Sequence, residues 1–232
     1  MAAPTTLRIE TLSGAALLPV LPALHGLRAA VFRTWPYLYD ADPEYEASYM
    51  RVYVESERAA IVVAFDGERP VGASTCLPMV DESARVVAPF VALGLDPDRF
   101  FYFGESVLLP EYRGQGVGVA FFAGREAHAR QVSDADFACF CSVRRALDHP
   151  QRPAGWVPLD GFWRRRGYAP VPGLACVMSW REVDHAEEMP HELAFWARSL
   201  TGAALPPTGP GSSALPTGPD MSPPPTGPGA TP

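Results

Sequence analysis

The stretch ESVLLPEYRGQGVGVAFFAGREAHAR, from Glu105 to Arg130, decides how this chain of 232 residues folds. An apolar run typical of a β-strand ends at Pro110, a glycine-rich turn follows, and an amphipathic run typical of a helix continues from it. Glycines in such a turn let backbone N–H groups converge on an anion, and the helix dipole favours negative charge at the same point. The stretch therefore predicts a phosphate site between a strand and a helix.

Two common phosphate-binding motifs do not fit this turn. The dinucleotide fingerprint G-x-G-x-x-G has its third glycine where this chain has Val119, and an acid about twenty residues on is only loosely available at Asp134 or Asp136. The Walker P-loop needs Gly-Lys-Ser/Thr, and the chain contains no Lys. A tight turn that binds no ligand is the remaining alternative.

Hydrophobic periodicity around this stretch predicts further strands and helices. The clearest is an antiparallel hairpin, because two β-type runs flank Asp66-Gly67. The predicted strands are Thr5 to Thr11, Ala59 to Phe65, Val71 to Leu77, Phe101 to Leu109, Asp136 to Val143 and Leu174 to Arg181. The predicted helices run from about Pro22 to Arg33, from Asp42-Pro43-Glu44 onward, within Ser83 to Leu95, from Gln115 to Gln131 and from Pro158 to Arg166, whereas His191 to Leu200 is ambiguous. This order predicts an α/β or mixed α+β chain with one parallel crossover.

Composition excludes several classes of protein. The net charge is −7 and no basic stripe occurs, so nucleic acid is not an expected partner. No signal peptide is visible at the N-terminus, and the most apolar stretch, Ala15 to Phe32, is interrupted by prolines and charges, so no membrane partner is expected. The four cysteines lie in apolar runs without metal-ligand spacing, which predicts reduced core thiols in a cytoplasmic protein with no metal site.

The C-terminal segment from Gly202 to Pro232 differs from the rest of the chain. Pro, Gly, Ser and Thr dominate it, and no aromatic residue offers an anchor in a core. We therefore expect one folded domain over residues 1–201 and a disordered tail over residues 202–232. A ligand for a proline-binding domain is the alternative interpretation of this tail.

Two motifs resemble those of one enzyme family. Pro110 to Gly118 is similar to the acetyl-CoA pyrophosphate loop of the GCN5-related N-acetyltransferases (GNAT), with the pattern Q/R-x-x-G-x-G/A, and Arg113, Gly116 and Gly118 occupy its defined positions. Leu159 to Tyr168 is similar to the family's later motif, a helix with an aromatic pair that ends in Gly-Phe or Gly-Tyr. The resemblance, including the order of elements, extends over Thr5 to Arg181 and suggests a bacterial-type member.

The resemblance implies a mixed, mostly antiparallel sheet flanked by helices. This sheet would be split between two central strands, Phe101 to Leu109 and Asp136 to Val143, with acetyl-CoA in the opening. The backbone N–H near Leu108 would bind the thioester carbonyl. Residues implied to bind the cofactor are Val107, Leu108, Leu109, Arg113, Gly114, Gln115, Gly116, Val117 and Gly118.

The implied reaction is direct transfer of an acetyl group to a primary amine of a small molecule or peptide. A base must take a proton from the amine, whose pKa is roughly 10 when free. Glu105 is the predicted base or water-orienting acid, unless a slip of one residue puts Gly104 in its place or its role is structural. Trp163 stands where many relatives have a general-acid Tyr, so Tyr168, Ser142 or Cys141 would substitute, or the thiolate would leave unassisted.

The acceptor pocket of this fold is usually built by the first two helices and their loop. In this chain that loop supplies Trp35, Tyr37 and Tyr39, which either bind a cationic amine or pack the loop on the core. Ser83 to Phe100 would add a lid or wall. Two other functions stay open: a non-catalytic CoA sensor, because of Trp163, and an interaction module that acts through the tail. The expected assembly is a monomer or homodimer.

Overall fold

The computed structural model describes residues 7–42 and 50–205, which form one eight-stranded sheet with helices on both faces. The spatial order is β1-β2-β3-β4-β6-β8-β7, and β5 pairs with β3. Only the β4–β6 pair is parallel, so the sheet is mixed and mostly antiparallel, as predicted. The strands are β1 (Arg8–Leu12), β2 (Ala60–Asp66), β3 (Arg69–Pro78), β4 (Phe100–Tyr102), β5 (Ser106–Leu108), β6 (Phe137–Val143), β7 (Ala169–Arg181) and β8 (Glu188–Ser199).

Five helices within the described ranges cover the sheet, and each face has its own core. Side chains alternate along β6, so that Cys139 joins the core under α1 and α3 while Phe140 joins the core under α4 and α5. Burial on both faces explains the continuous apolar run of this strand. The helices are α1 (Leu21–Phe32), α2 (Arg51–Glu55), α3 (Ala84–Ala92), α4 (Val117–Val132) and α5 (Asp160–Arg164).

Most of the predicted elements are confirmed. The β2–β3 hairpin turns at Gly67-Glu68, with Gly67 in the left-handed region at φ 59°, one residue later than the predicted Asp66-Gly67. The ambiguous stretch from His191 to Leu200 is strand, because β8 pairs with β6 and β7 on its two sides. The helix predicted to begin at Asp42-Pro43-Glu44 falls largely on residues 43–49, which lie outside the described residues.

The prediction of one continuous strand from Phe101 to Leu109 is wrong. Gly104 and Glu105 both face Thr75 of β3: the Gly104 N–H donates to the Thr75 carbonyl at 3.1 Å, and the Thr75 N–H donates to the Glu105 carbonyl at 3.0 Å. Two residues opposite one form a β-bulge, which bends the strand and separates β4 from β5.

This bulge accounts for the split in the sheet. The last bond between the two central strands joins the Phe103 N–H to the Cys139 carbonyl at 2.7 Å. Beyond it, β6 continues beside β8, whereas β5 pairs with β3. The sheet therefore opens between β5 and β6, which confirms the predicted split between two central strands.

The described chain continues to pack beyond the predicted end of the domain. Ala203 and Leu205 pack against the core under α1 and α3. Residues 206–232 of the predicted tail lie outside the described residues. All four cysteines are buried free thiols. Within the described ranges, no helix has both the length and the apolar character needed to cross a membrane.

Candidate functional site

The glycine-rich turn presents an unusual set of free backbone donors. Gly114 and Gly116 adopt left-handed conformations at φ 76° and 83°, and Gly116 caps the 16-residue helix α4. The N–H groups of Val119 and Ala120 donate to the Gly116 carbonyl. The N–H groups of residues 114–118 donate to no atom of the described chain. They remain available to an external acceptor at the positive end of a long helix.

The space around the turn fits a bound anion. A Cβ built on Gly114 or Gly116 would meet no atom within 4 Å, so no protein group occupies the space beside either glycine. A Cβ on Gly118 would lie 3.1 Å from the Phe162 ring. Gly114 and Gly116 therefore provide the left-handed backbone conformation of the turn and leave the space beside it free of side chains. Gly118 lets α4 pack closely against α5.

The edge of β5 that faces the split exposes backbone groups that do not pair with another strand. The Leu109 N–H donates to the Val71 carbonyl of β3 at 3.1 Å. Because the direction of backbone groups alternates along an antiparallel strand, the N–H and C=O of Leu108 face the opposite, open edge. The Arg113 guanidinium donates from Nε and Nη2 to this Leu108 carbonyl, at 3.3 Å each. The Leu108 N–H is left in the position where the resemblance implies a donor to the thioester.

Glu105 lies beside the bulge in a buried ion pair. Its carboxylate pairs with the Arg28 guanidinium of α1, and the two side chains are 9% and 6% exposed, respectively. Glu105 lies on the same face as Val107, two residues further along the strand, and this face is the one that α1 covers. The catalytic role of Glu105 stays a prediction. Sequence reasoning missed Arg28, although a charged residue on the apolar stripe of α1, between Leu24 and Phe32, was an available signal.

Further polar groups surround the point where the strands part. The Tyr102 hydroxyl and the Cys141 thiol lie 3.1 Å apart, one on each side of the split. Tyr37 lies near Arg28 and Cys141, and burial raises the pKa of its hydroxyl. Glu82, which follows β3, acts electrostatically on Cys141, and burial raises the pKa of its carboxyl group. We call the set of Arg28, Tyr37, Glu82, Tyr102, Glu105 and Cys141 the apex cluster.

The loop after α1 brings the predicted acceptor residues to different places. Trp35 contacts the loop after β6, with ring centroids 4.9 Å from His149 and 5.7 Å from Trp156. Tyr37 packs on Trp180, at 6.0 Å between ring centroids, and reaches the apex cluster. Tyr39 is buried in the core and forms a β-bridge to Glu182. Core packing therefore accounts for Tyr39, while the acceptor role of Trp35 and Tyr37 stays a prediction.

Arg145, which no sequence motif indicates, fixes this loop to the sheet. Its Nε donates to the Pro36 carbonyl at 2.6 Å, its Nη2 donates to the Tyr37 carbonyl at 2.8 Å, and its Nη1 pairs with the Glu182 carboxylate. The Arg145 side chain is only 10% exposed. It thus holds the backbone of two loop residues against the end of β7, and only a planar fork of donors can do so from one residue.

The later motif is mainly structural. Trp163 packs between Phe140 and Trp196, with centroid distances of 5.0 Å to each. The Tyr168 hydroxyl donates to the Glu126 carboxylate at 3.0 Å, and burial raises the pKa of Tyr168. Both side chains are therefore engaged in the core, and a general-acid role of Tyr168 stays a prediction. A role of Cys141 or Ser142 as the general acid stays a prediction.

The predicted wall of the acceptor pocket is an ordered part of the fold. Helix α3 lies over the same face as the apex cluster, where Phe90 packs on Phe100 and Phe195 at 4.9 Å each. The segment from Ser83 to Phe100 thus packs on this face of the sheet, and its role as a wall of the acceptor pocket stays a prediction.

Comparison with solved structures identifies the fold. The loading GNATL domain of CurA from Lyngbya majuscula superposes with a TM-score of 0.55 and 13% identity over 84% of this chain and 98% of that one. A ribosomal-protein-alanine N-acetyltransferase from Brucella melitensis gives 0.54 and 13%, over 83% and 99%. The acetyltransferase yncA from Salmonella typhimurium, solved with acetyl-CoA, gives 0.51 and 12%, over 88% and 99%.

Sequence comparison adds nothing to this likeness, because neither a family model nor a curated protein matches the chain. The structural likeness shows the fold, and the fold is that of the GNAT acetyltransferases, as the two motifs predict.

Proposed function

We propose that this chain, which has the fold of the GNAT acetyltransferases, transfers an acetyl group from acetyl-CoA to a primary amine. One observation carries the proposal: five successive backbone N–H groups, at residues 114–118, lie free at the start of α4, beside the opening between β5 and β6. Water satisfies the first N–H groups of many helices, but five successive donors around two left-handed glycines match the several acceptor oxygens of a pyrophosphate. The solved relative that contains acetyl-CoA supports the choice of cofactor.

The residues present suit this cofactor. The backbone amides from Gly114 to Gly118 would hold the pyrophosphate, and the edge of β5 from Val107 to Leu109 would lie along the rest of the molecule; the Arg113 N–H is already used, since it donates to the Pro110 carbonyl at 3.1 Å. When bound, acetyl-CoA supplies an activated acyl thioester. The Leu108 N–H, which faces the open edge of β5, would stabilise negative charge on the thioester carbonyl oxygen, and a donor in such a position contributes about 3 kcal/mol to the transition state.

The apex cluster provides the proton chemistry. The predicted role of Glu105 is that of a base or a water-orienting acid. Its pairing with Arg28 favours the second role, because an adjacent guanidinium stabilises the carboxylate and makes it a weaker base. Glu105 would then hold a water or the amine in position and leave proton uptake to another group.

Release of the thiolate would proceed without a tyrosine. Trp163 has only an indole N–H and is packed in an apolar cluster, so it supplies no acid. A thiol pKa of about 8.5 makes unassisted departure feasible. The same residue favours a second function, a sensor that binds acetyl-CoA without turnover. Release of free thiol in the presence of amines separates the two functions.

The test of the cofactor site compares two glycines in the same backbone conformation. Gly116→Val would put a side chain into the open space before the amides and should raise the Kd for acetyl-CoA at least tenfold in calorimetric titration, with desulfo-CoA as a second ligand. Gly67→Val imposes similar left-handed strain in a hairpin turn, also facing open space, and should leave the Kd within twofold. Equal affinity of both variants would contradict the assignment of the loop.

A further inference from the structure

Three successive arginines, Arg164 to Arg166, lie at the end of α5 without an acidic partner. Among the described residues, no carboxylate forms an ion pair with any of them. Their side chains point to different places: the Cζ atom of Arg164 lies 5.2 Å from the centroid of the Trp196 ring, whereas that of Arg166 lies 3.4 Å from the centroid of the Phe162 ring. Each arginine therefore has surroundings of its own.

Arg166 lies beside the glycine-rich turn. Its guanidinium stacks on the Phe162 ring, and the tip of the same ring meets Gly118, where a built Cβ would lie 3.1 Å from the ring Cζ atom. Gly118 is the last of the turn residues whose N–H donates to no atom of the described chain. Two direct contacts in series therefore bring the Arg166 guanidinium to the end of the row of amides proposed to bind the pyrophosphate.

The donors of Arg166 are only partly used. Its Nη1 donates to the Phe162 carbonyl at 2.7 Å, while its Nε is sealed from solvent and makes no hydrogen bond with the described residues. Its Nη2 makes none either, but this atom reaches solvent and is open to a ligand. Burial and the charge of Arg165 lower the pKa of Arg166, as expected of a guanidinium that no neighbouring anion stabilises. Arg166 is thus a held cation beside the turn that lacks an anion.

Coenzyme A carries a second phosphate for which the turn offers no partner. The ribose whose 5′ carbon bears the pyrophosphate also bears a 3′-phosphate, so this group lies near any pyrophosphate that the turn binds. The five free amides of residues 114–118 suffice for the pyrophosphate, whereas the 3′-phosphate adds a charge of about −1.5 to −2 at pH 7. A guanidinium presents a planar fork of donors that matches a phosphate group.

We propose that Arg166 binds the ribose 3′-phosphate of acetyl-CoA and makes the site select coenzyme A over its 3′-dephospho form. This inference rests on the proposed function. The Nη2 atom donates to a phosphate oxygen, and the stacked Phe162 ring keeps the guanidinium in place beside the turn. Arg164, whose guanidinium lies over Trp196 instead, takes no part.

Calorimetric titration of coenzyme A and 3′-dephospho-coenzyme A tests the proposal. The unaltered protein should bind coenzyme A at least tenfold more tightly. Arg166→Met keeps an apolar cover on Phe162 but removes the charge, so it should reduce this preference to less than twofold and leave the Kd for the 3′-dephospho form within twofold. Arg164→Met removes a charge from the same helix end and should keep the full preference, which controls for a general loss of positive charge.

Thermal melting without ligand separates phosphate binding from a structural role. Because the Arg166 charge has no counter-ion among the described residues, its removal should leave the melting temperature within about 2 °C of that of the unaltered protein. A variant R166M that melts well below this range and binds both ligands equally less tightly would show that Arg166 only holds Phe162 against Gly118. That result would overturn the proposal.

The remaining outcomes distinguish this proposal from the proposed function. Tight binding of coenzyme A with no preference over the 3′-dephospho form, or a preference that persists in R166M, would overturn the role of Arg166 and leave the proposed function intact. Equal weakening of both ligands in R166M without a change in melting temperature would place the guanidinium at the pyrophosphate and would also overturn the proposal. If neither ligand binds the unaltered protein, the proposed function fails and this proposal fails with it.

Discussion

At the scale of single residues, Arg28 and Glu105 form a buried ion pair between α1 and the strand bulge. Both charges are almost fully removed from water, so their mutual attraction and hydrogen bonding must offset a large desolvation cost. Arg28 also lies over the Phe32 ring, with its Cζ atom 5.3 Å from the centroid. The pair therefore links α1 to the bulge next to the split, and the geometry of that bulge depends on it.

Removing one charge should be worse than removing both. Arg28→Met leaves Glu105 buried without a counter-ion and should lower the free energy of unfolding by about 3–5 kcal/mol. Adding Glu105→Gln should recover at least half of that loss, since no uncompensated charge then remains. Urea denaturation at pH 7 measures both variants. A double variant that loses more stability than Arg28→Met alone would contradict this coupling.

At the scale of elements, the close packing of α4 on the sheet fixes the orientation of the glycine-rich turn at its N-terminus. Gly124 of α4 faces β2, and a Cβ there would lie 2.9 Å and 3.0 Å from the two methyl groups of Val62. Gly26 of α1 is also helical, but a Cβ there would meet nothing within 4 Å. The two glycines therefore allow a matched comparison of packing against helix propensity.

The same substitution should have opposite effects at these two sites. Gly26→Ala should stabilise the protein by up to about 1 kcal/mol, because alanine is the better helix former. Gly124→Ala should instead destabilise it by about 1–3 kcal/mol through overpacking. Combining Gly124→Ala with Val62→Ala should yield a smaller loss than the sum of the single losses, as measured in a chemical-denaturation cycle. Additive losses would mean that α4 shifts away freely.

Elements with a local signal are predictable from the sequence, and contacts between distant segments are not. Periodicity and turn residues locate α1, α3, α4 and the β2–β3 hairpin, because these depend on neighbours in the sequence. The bulge at Gly104 depends on pairing with Thr75 of another strand, so the sequence alone predicts a continuous strand. The turn of residues 113–118 is identifiable from its own glycines. The contacts of Arg145 emerge only when separate loops meet.

At the scale of the whole molecule, the sheet has two halves, and each would bind a different substrate of the proposed reaction. The half with β1, β2, β3, β5 and α4 presents the amides of residues 114–118 and the Leu108 edge. The half with β6, β7 and β8 carries the Arg145 contacts that fix the loop after α1, where the acceptor is predicted to bind. The halves meet through β4 and the apex cluster. Cofactor and acceptor would therefore approach the split from different sides and meet at the strand bulge.

The end of the folded unit provides a test at this scale. The sequence predicts that the domain ends at Thr201, yet Ala203 and Leu205 pack against the core and the Gly202 N–H donates to the Ser199 hydroxyl at 2.8 Å. A chain that ends after Thr201 should lose about 1–2 kcal/mol of stability relative to one that ends after Leu205, because it exposes this apolar surface. Differential scanning calorimetry of the two chains measures the difference.

The same truncation decides whether the remaining tail acts in the proposed reaction. If the site lies wholly in the described fold, the chain that ends after Leu205 should keep its acetyl-CoA affinity and its rate of thiol release within twofold of the full chain. The reason is that the cofactor turn, the split and the apex cluster all precede residue 206. Loss of activity with unchanged acetyl-CoA affinity would instead assign residues 206–232 a part in acceptor binding, and would favour the interaction role of the Pro-rich sequence.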